Sequence, residues 1–231
     1  AVIFGKEIFG GTGMNIFNPA LLARAFLFFS YPSRMTGDTI WVGTDKILGL
    51  GYQLPDGFTM ATPLGEIAQH VEVPYSLEQM VTGLIPGSMG ETSVIAIAIG
   101  AIILLWTGIA SWKTMLSVFL GGGLTALLFE SLGMSNIAWY EHLVLGGFCF
   151  GAVFMATDPV TSARTETGKW IYGALIGIMA VVVRVMNPGY PEGMMLAILF
   201  GNMFAPLIDY CVVDRNISRR SKRGAQKSAN Q

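Results

Sequence analysis

Five long apolar runs, at residues 92–111, 114–131, 140–157, 170–186 and 193–213, set the strongest constraint on what this chain can fold into. A helix needs about 20 mostly apolar residues to cross a bilayer, and each run meets or nearly meets that length. A sixth apolar element, residues 19–31 (PALLARAFLFFSY), has 13 residues, about 20 Å of helix at 1.5 Å per residue. It is too short to cross alone and reads as a half-helix or one limb of a broken one. Charged residues make up 13% of the chain, against roughly 25% in soluble domains. The expected fold is all-α: a polytopic membrane protein with five to six transmembrane helices in this chain, some broken or halved.

Charge orients these helices. Residues 214–231 carry six bases (Arg215, Arg219, Arg220, Lys222, Arg223, Lys227) and one acid, and an excess of Lys and Arg marks the cytoplasmic side. Counting back through five spans puts residues 33–91 outside, where seven acids face two bases. The expected organisation is a membrane domain over 1–216, an extracytoplasmic segment at 33–91 within it, and a basic cytoplasmic tail over 217–231. A net charge of −1 argues against a general nucleic-acid binder. Cys149 and Cys211 match no metal or redox spacing and read as core residues.

A short internal repeat is present. Asn15-Ile-Phe17-Asn-Pro19 and Asn202-Met-Phe204-Ala-Pro206 both read N-x-F-x-P. Opposed copies with helix-breaking prolines are the mark of inverted-repeat transporters, whose sites lie near the breaks. Pro206 cannot donate to the carbonyl of Asn202, and Asn202 and Asp209, seven apart, share one helix face. A freed carbonyl, an amide and a carboxylate are oxygen ligands of the kind sodium takes. The plain alternative places Asp209 at the interface, meeting Arg215 or water. Asn18 reads as a helix N-cap ahead of Pro19; Asn15 and Asn18 could equally present their amides to a ring system. Asp158 and Glu192 read as interfacial caps, Arg184 as a snorkelling end-of-span residue, His142 as structural, and Met194 and Met195 as packing.

The stretch Pro55-Asp-Gly-Phe-Thr-Met-Ala-Thr-Pro-Leu-Gly-Glu66 raises a different question. Thr62 followed by Pro63, with an acid in the first turn, is a helix start. That reading leaves Asp56 and Thr59 unexplained. Asp56-x-x-Thr59-x-Ala61-Thr62 resembles D-x-x-[S/T]-G-A-[S/T], the acceptor signature for covalent flavin attachment, with Met60 where glycine is usual. In families that carry it, a flavin transferase joins FMN through its phosphate to the final hydroxyl, here that of Thr62. A helix N-terminus is a favourable seat for a phosphate.

The resemblance reaches further. GKEIFGGTGMNIFNPALLARAFLFFSYP, IPGSMGETS, EHLVLGGFCFGAVFMATDPV and NPGYPEGMMLAILFGNMFAPLID together resemble the family of B subunits of the sodium-translocating NADH:quinone oxidoreductases, to which the D subunit of the Rnf complex is related. That resemblance implies about ten membrane helices, so the N-terminal ones are expected to be missing from this chain. It implies covalent FMN at Thr62 and a non-covalent riboflavin, assigned to Asn15 and Asn18. It also implies a role for Asp209, with Asn202, in sodium uptake from the cytoplasm. No G-x-G-x-x-G after a strand, Walker motif or paired-Cys cluster occurs, so NADH and iron–sulfur chemistry are expected in partner subunits. The implied role is a membrane redox subunit of the bacterial inner membrane, delivering electrons to quinone and driving Na⁺ outward. The rivals are an Rnf-type electron-transfer subunit, a passive inverted-repeat channel or transporter, and a cofactor-free scaffold.

Overall fold

The computed structural model describes residues 1–8, 11, 13, 15–31, 62–68, 75–88, 90–135, 137–187 and 192–229. Among these residues the secondary structure is helical throughout, with no strand. A π-helical turn, Ile3–Glu7, precedes α1, Pro19–Ser30. Two six-residue helices follow, α2 (Pro63–Ala68) and α3 (Leu77–Thr82), then α4 (Val94–Trp106) and α5 (Trp112–Ser131). A short α6 (Trp139–Val144) leads into α7, which starts at Phe148–Phe150 and continues as the π-helical turn Gly151–Met155. The chain closes with α8 (Glu166–Met186) and α9 (Met194–Ala229). Three of these, α5, α8 and the 194–223 portion of α9, are long and apolar enough to cross a membrane. With the shorter apolar α1 and α4, they make this a multi-pass membrane protein.

Close backbone approach sets the core. A Cβ on Gly173 of α8 would sit 2.7 Å from the carbonyl oxygen of Thr114 on α5, and one on Gly121 of α5 would sit 2.6 Å from that of Ala174. Gly173 and Gly177 form a small-xxx-small face of the kind that lets membrane helices touch. Around that seam Val118, Phe148, Tyr172, Ile176, Val181 and Ile198 are fully buried. Outward-facing residues stay apolar, with Ile99, Ile102 and Trp106 of α4 all more than half exposed.

Three expectations about where helices run need correction. The run at 92–111 forms only 13 helical residues, about 20 Å, because Gly108 turns left-handed (φ 72°) just after the helix and ends it. The run at 140–157 is not one span. It breaks at Leu145–Gly147, with Gly146 at φ 63°. The last helix does not break at Pro206; it runs 36 residues to Ala229, the ring lying on an exposed face. Pro19, by contrast, does begin a helix as expected, with the Asn18 carboxamide oxygen accepting from the N–H of Ala20 at 3.0 Å and of Leu21 at 3.4 Å. The two N-x-F-x-P copies therefore share a sequence but not a backbone.

Arg184 does not snorkel. It is 7% exposed, and its guanidinium donates to the carbonyls of His142 (2.6 Å) and Leu145 (3.2 Å). These are carbonyls at the end of α6, which a broken helix leaves without intrahelical partners. A cation also suits the negative end of a helix dipole. Asp158 closes the turn that follows α7, accepting from Val160 N and Thr161 Oγ1. Met194 and Met195 are buried packing residues, and buried His142 shares a 2.9 Å hydrogen bond with Ser135 Oγ. Cys149 is buried, while Cys211 lies exposed on α9 and is not a core residue.

Candidate functional site

The two repeat motifs meet at one cavity of about 270 Å³, lined by Asn15 and Ile16 from the first copy and by Asn202, Ala205, Pro206 and Asp209 around the second. The loop between α7 and α8 closes it, through Thr161 and Arg164 among others. Asn15 and Asn18 do not act together here. The Asn18 carboxamide is engaged in capping α1, whereas Asn15 lines the cavity and its Oδ1 is buried without a partner among the described residues.

Asn202 is fully buried. Its Oδ1 accepts from the hydroxyl of Tyr172 at 2.7 Å, and its Nδ2 has no partner among the described residues. The amide oxygen expected to serve sodium thus also accepts from Tyr172. Asp209 is half-buried and accepts three hydrogen bonds: from Arg164 N at 2.7 Å, Thr165 N at 3.0 Å and Thr165 Oγ1 at 2.6 Å. Thr165 in turn caps α8, its Oγ1 accepting from Gly168 N at 3.1 Å. Asp209 therefore ties α9 to the first turn of α8. Neither Arg215 nor any other base is its hydrogen-bond partner among the described residues.

The second place is the corner that holds Thr62. Thr62 is half-buried and caps α2, its Oγ1 accepting from Gly65 N at 3.2 Å. Asp56, Thr59 and Ala61, the rest of the acceptor pattern, lie outside the described residues. Thr62 shares a small cleft with Glu91, Gly146 and Glu192. A Cβ on Gly147 would lie 3.1 Å from Glu91 Oε2 and 3.6 Å from Glu192 Oε2, and one on Gly146 would lie 3.6 Å from Arg184 Nη2. Two carboxylates and a guanidinium thus surround the bend that splits α6 from α7. Arg24 of α1 reaches Glu192 at 4.0 Å. From Met194, where α9 starts just after Glu192, to Asp209 is 15 residues, about 22 Å along the axis, so the two places lie far apart along the apolar part of α9.

Glu192 lies in the connection before α9, outside the spanning helices. Burial and then the neighbouring Glu91 push its carboxyl up to about 7, against the pull of Arg24 and Arg184. The folded protein then holds this proton over a range in which the unfolded chain has released it. Its contribution to stability is full below the ordinary carboxylate value and is lost as pH rises through about 7. A Glu192→Gln protein is expected to show a flatter melting temperature between about pH 5 and 7 than the wild type. Parallel curves for the two proteins would show that Glu192 does not titrate there.

The profile of the NQR2, RnfD, RnfE family matches residues 1–218. The chain belongs to this family. A protein of Chromohalobacter salexigens, named as the B subunit of a Na(+)-translocating NADH-quinone reductase, is 53% identical over 236 aligned residues, covering 98% of this chain and 55% of its own. Proteins of the same name from Klebsiella pneumoniae (51% identical) and Pseudomonas aeruginosa (50% identical) each cover 96% of this chain and 55% of their own. The chain therefore spans about half the length of these relatives.

Sequence reasoning missed the part played by four residues at these places. Arg184 stood out only as a charge within an apolar run. Glu91 and Glu192 lie too far apart in sequence to be read as a pair. Tyr172 carried no signal, since a tyrosine in a membrane helix is ordinary.

Proposed function

We propose that this chain is the membrane subunit of a respiratory, redox-driven sodium pump, passing electrons from NADH-side subunits through two flavins toward quinone and coupling this to outward movement of Na⁺. What carries the reading is an acceptor pattern ending at Thr62, a helix-start hydroxyl, in a chain of this family. Bound flavins supply the electron-transfer chemistry, and the protein supplies seating and electrostatics.

Thr62 holds FMN as a phosphodiester on the extracytoplasmic side, after a flavin transferase has acted. Arg24 and Arg184 offset the charge of Glu91 and Glu192 beside it. Riboflavin occupies the cavity at the other end of α9. The orphaned amide atoms there suit a neutral ring with donors and acceptors on its edge. Asn15 contacts it, and Asn18 sets the path of the chain by capping α1. Asp209 draws Na⁺ to the inner mouth; its Oδ2 accepts one hydrogen bond, and a carboxylate oxygen has a further lone pair to offer. Coupling of about 1–3 kcal/mol between sites is typical, so a change of charge in the cavity need bias the α8–α9 connection only modestly. The setting is the bacterial inner membrane with the C-terminus in the cytoplasm, other subunits bringing the NADH site. An Rnf-type electron-transfer subunit is the second reading, favoured by a profile that spans both groups.

The test is in-gel flavin fluorescence of the denatured subunit, co-expressed with the transferase. The wild-type band is expected to fluoresce and the Thr62→Ala band to be dark. A dark wild-type band, with the transferase active on another target, leaves Thr62 a helix cap and moves the channel reading ahead.

A further inference from the structure

We propose that Asn202, held by Tyr172, is a positioning residue for the non-covalent flavin: its Nδ2 donates to a carbonyl of the ring's imide edge, while Asn15 Oδ1 accepts the adjacent imide N–H. This rests on the riboflavin reading of the cavity and goes beyond it by naming the edge that is gripped and the pair that grips it.

Two polar atoms of opposite character belong to residues lining one cavity. Asn15 Oδ1 can only accept and Asn202 Nδ2 can only donate, and both are buried without partners among the described residues. A buried polar group left unmatched costs about 1–3 kcal/mol, so the cavity favours an occupant that satisfies both at once. A cation satisfies Asn15 and leaves Asn202 wanting. A carboxylate or phosphate does the reverse. An imide edge, carbonyl beside N–H, answers both, and the pyrimidine end of a flavin ring carries one.

Tyr172 decides which end of the Asn202 amide is on offer. The phenol is fully buried, and its hydroxyl donates to Asn202 Oδ1 at 2.7 Å. With the oxygen tied across from α8, the amide group is held with its nitrogen uncommitted. Gly201, next to Asn202, has no room for a side chain, since a Cβ there would stand 2.6 Å from Ile176 Cγ1. The backbone carrying Asn202 is therefore pressed against α8, where Tyr172 sits.

The experiment uses the assembled complex purified with its flavin transferase, and reads acid-extractable riboflavin per complex beside the covalent FMN band. Asn202→Asp keeps the shape but replaces the donor with an acceptor. It is expected to lower riboflavin affinity by about 5- to 150-fold with the FMN band intact. Tyr172→Phe is expected to give a smaller loss, and the double variant no more than Asn202→Asp alone. N3-methylriboflavin, which lacks the imide N–H, is expected to bind depleted wild-type complex at least about 5-fold more weakly than riboflavin. Wild-type riboflavin content in both single variants overturns the proposal, as does equal binding of the methylated analogue. Should Asn202→Asp fail to assemble, Tyr172→Phe alone decides between loss and no loss. A wild-type complex with no extractable riboflavin overturns the underlying reading of the cavity instead, and the two failures are told apart by that control.

Discussion

An Arg184→Met protein is expected to lose more stability than any other single variant considered for this fold. The guanidinium donates to two buried carbonyls, those of His142 and Leu145, across the break between α6 and α7. Methionine fills similar space and donates nothing. Each buried carbonyl left unmatched costs about 1–3 kcal/mol. A loss on the order of 2–6 kcal/mol follows, against a total of about 5–15 for an ordinary domain. Arg184→Lys keeps the charge but not the planar fork, so it is expected to fall between the two. Thermal unfolding in detergent, followed by tryptophan fluorescence, checks the order wild type, Lys, Met. If the methionine protein melts with the wild type, the bend between α6 and α7 is held by something other than Arg184.

The second large effect is at Asp209, where two roles come apart. Asp209→Ala removes the acceptor for Arg164 N, Thr165 N and Thr165 Oγ1 together. Hydrogen bonds to a charged group are worth about 1.5–3 kcal/mol each, shared here by a half-exposed carboxylate, so a cost on the order of 3 kcal/mol is expected. Asp209→Asn keeps an oxygen for both Thr165 donors and sacrifices the bond from Arg164, so most of the stability returns. Sodium sorts the variants differently. Both lack the charge, and both are expected to need more Na⁺ for half-maximal turnover, with covalent FMN unchanged. A wild-type sodium requirement in Asp209→Asn would leave Asp209 as the tie between α8 and α9 and nothing more.

What could be read from the sequence was whatever local chemistry decides. Asn18 before Pro19 and Thr62 before Pro63 each cap a helix within a few residues, and both do so in the structure. The long helices at 112–131 and 166–186 were legible because hydropathy is a local property. What escaped depends on partners far along the chain. The break at Leu145–Gly147 is stabilised by a guanidinium 39 and 42 residues away. The Tyr172–Asn202 bond spans 30 residues. The repeat motif misled about the backbone because proline ends a helix only where its neighbours do not restore the turn. The two copies nonetheless meet in space, since Asn15 and Asn202 line the same cavity. For the acceptor pattern, only Thr62 falls within the described residues.

The uninterrupted course of α9 turns the C-terminal basic residues into the far end of a lever. From Pro206, at the cavity wall, to Lys227 is 21 residues of helix, an arm of about 32 Å. A tilt of about 5° at the proline, where one backbone hydrogen bond is missing, swings that end by about 3 Å. A small change of angle at the cavity wall is thereby magnified along the helix toward its basic end.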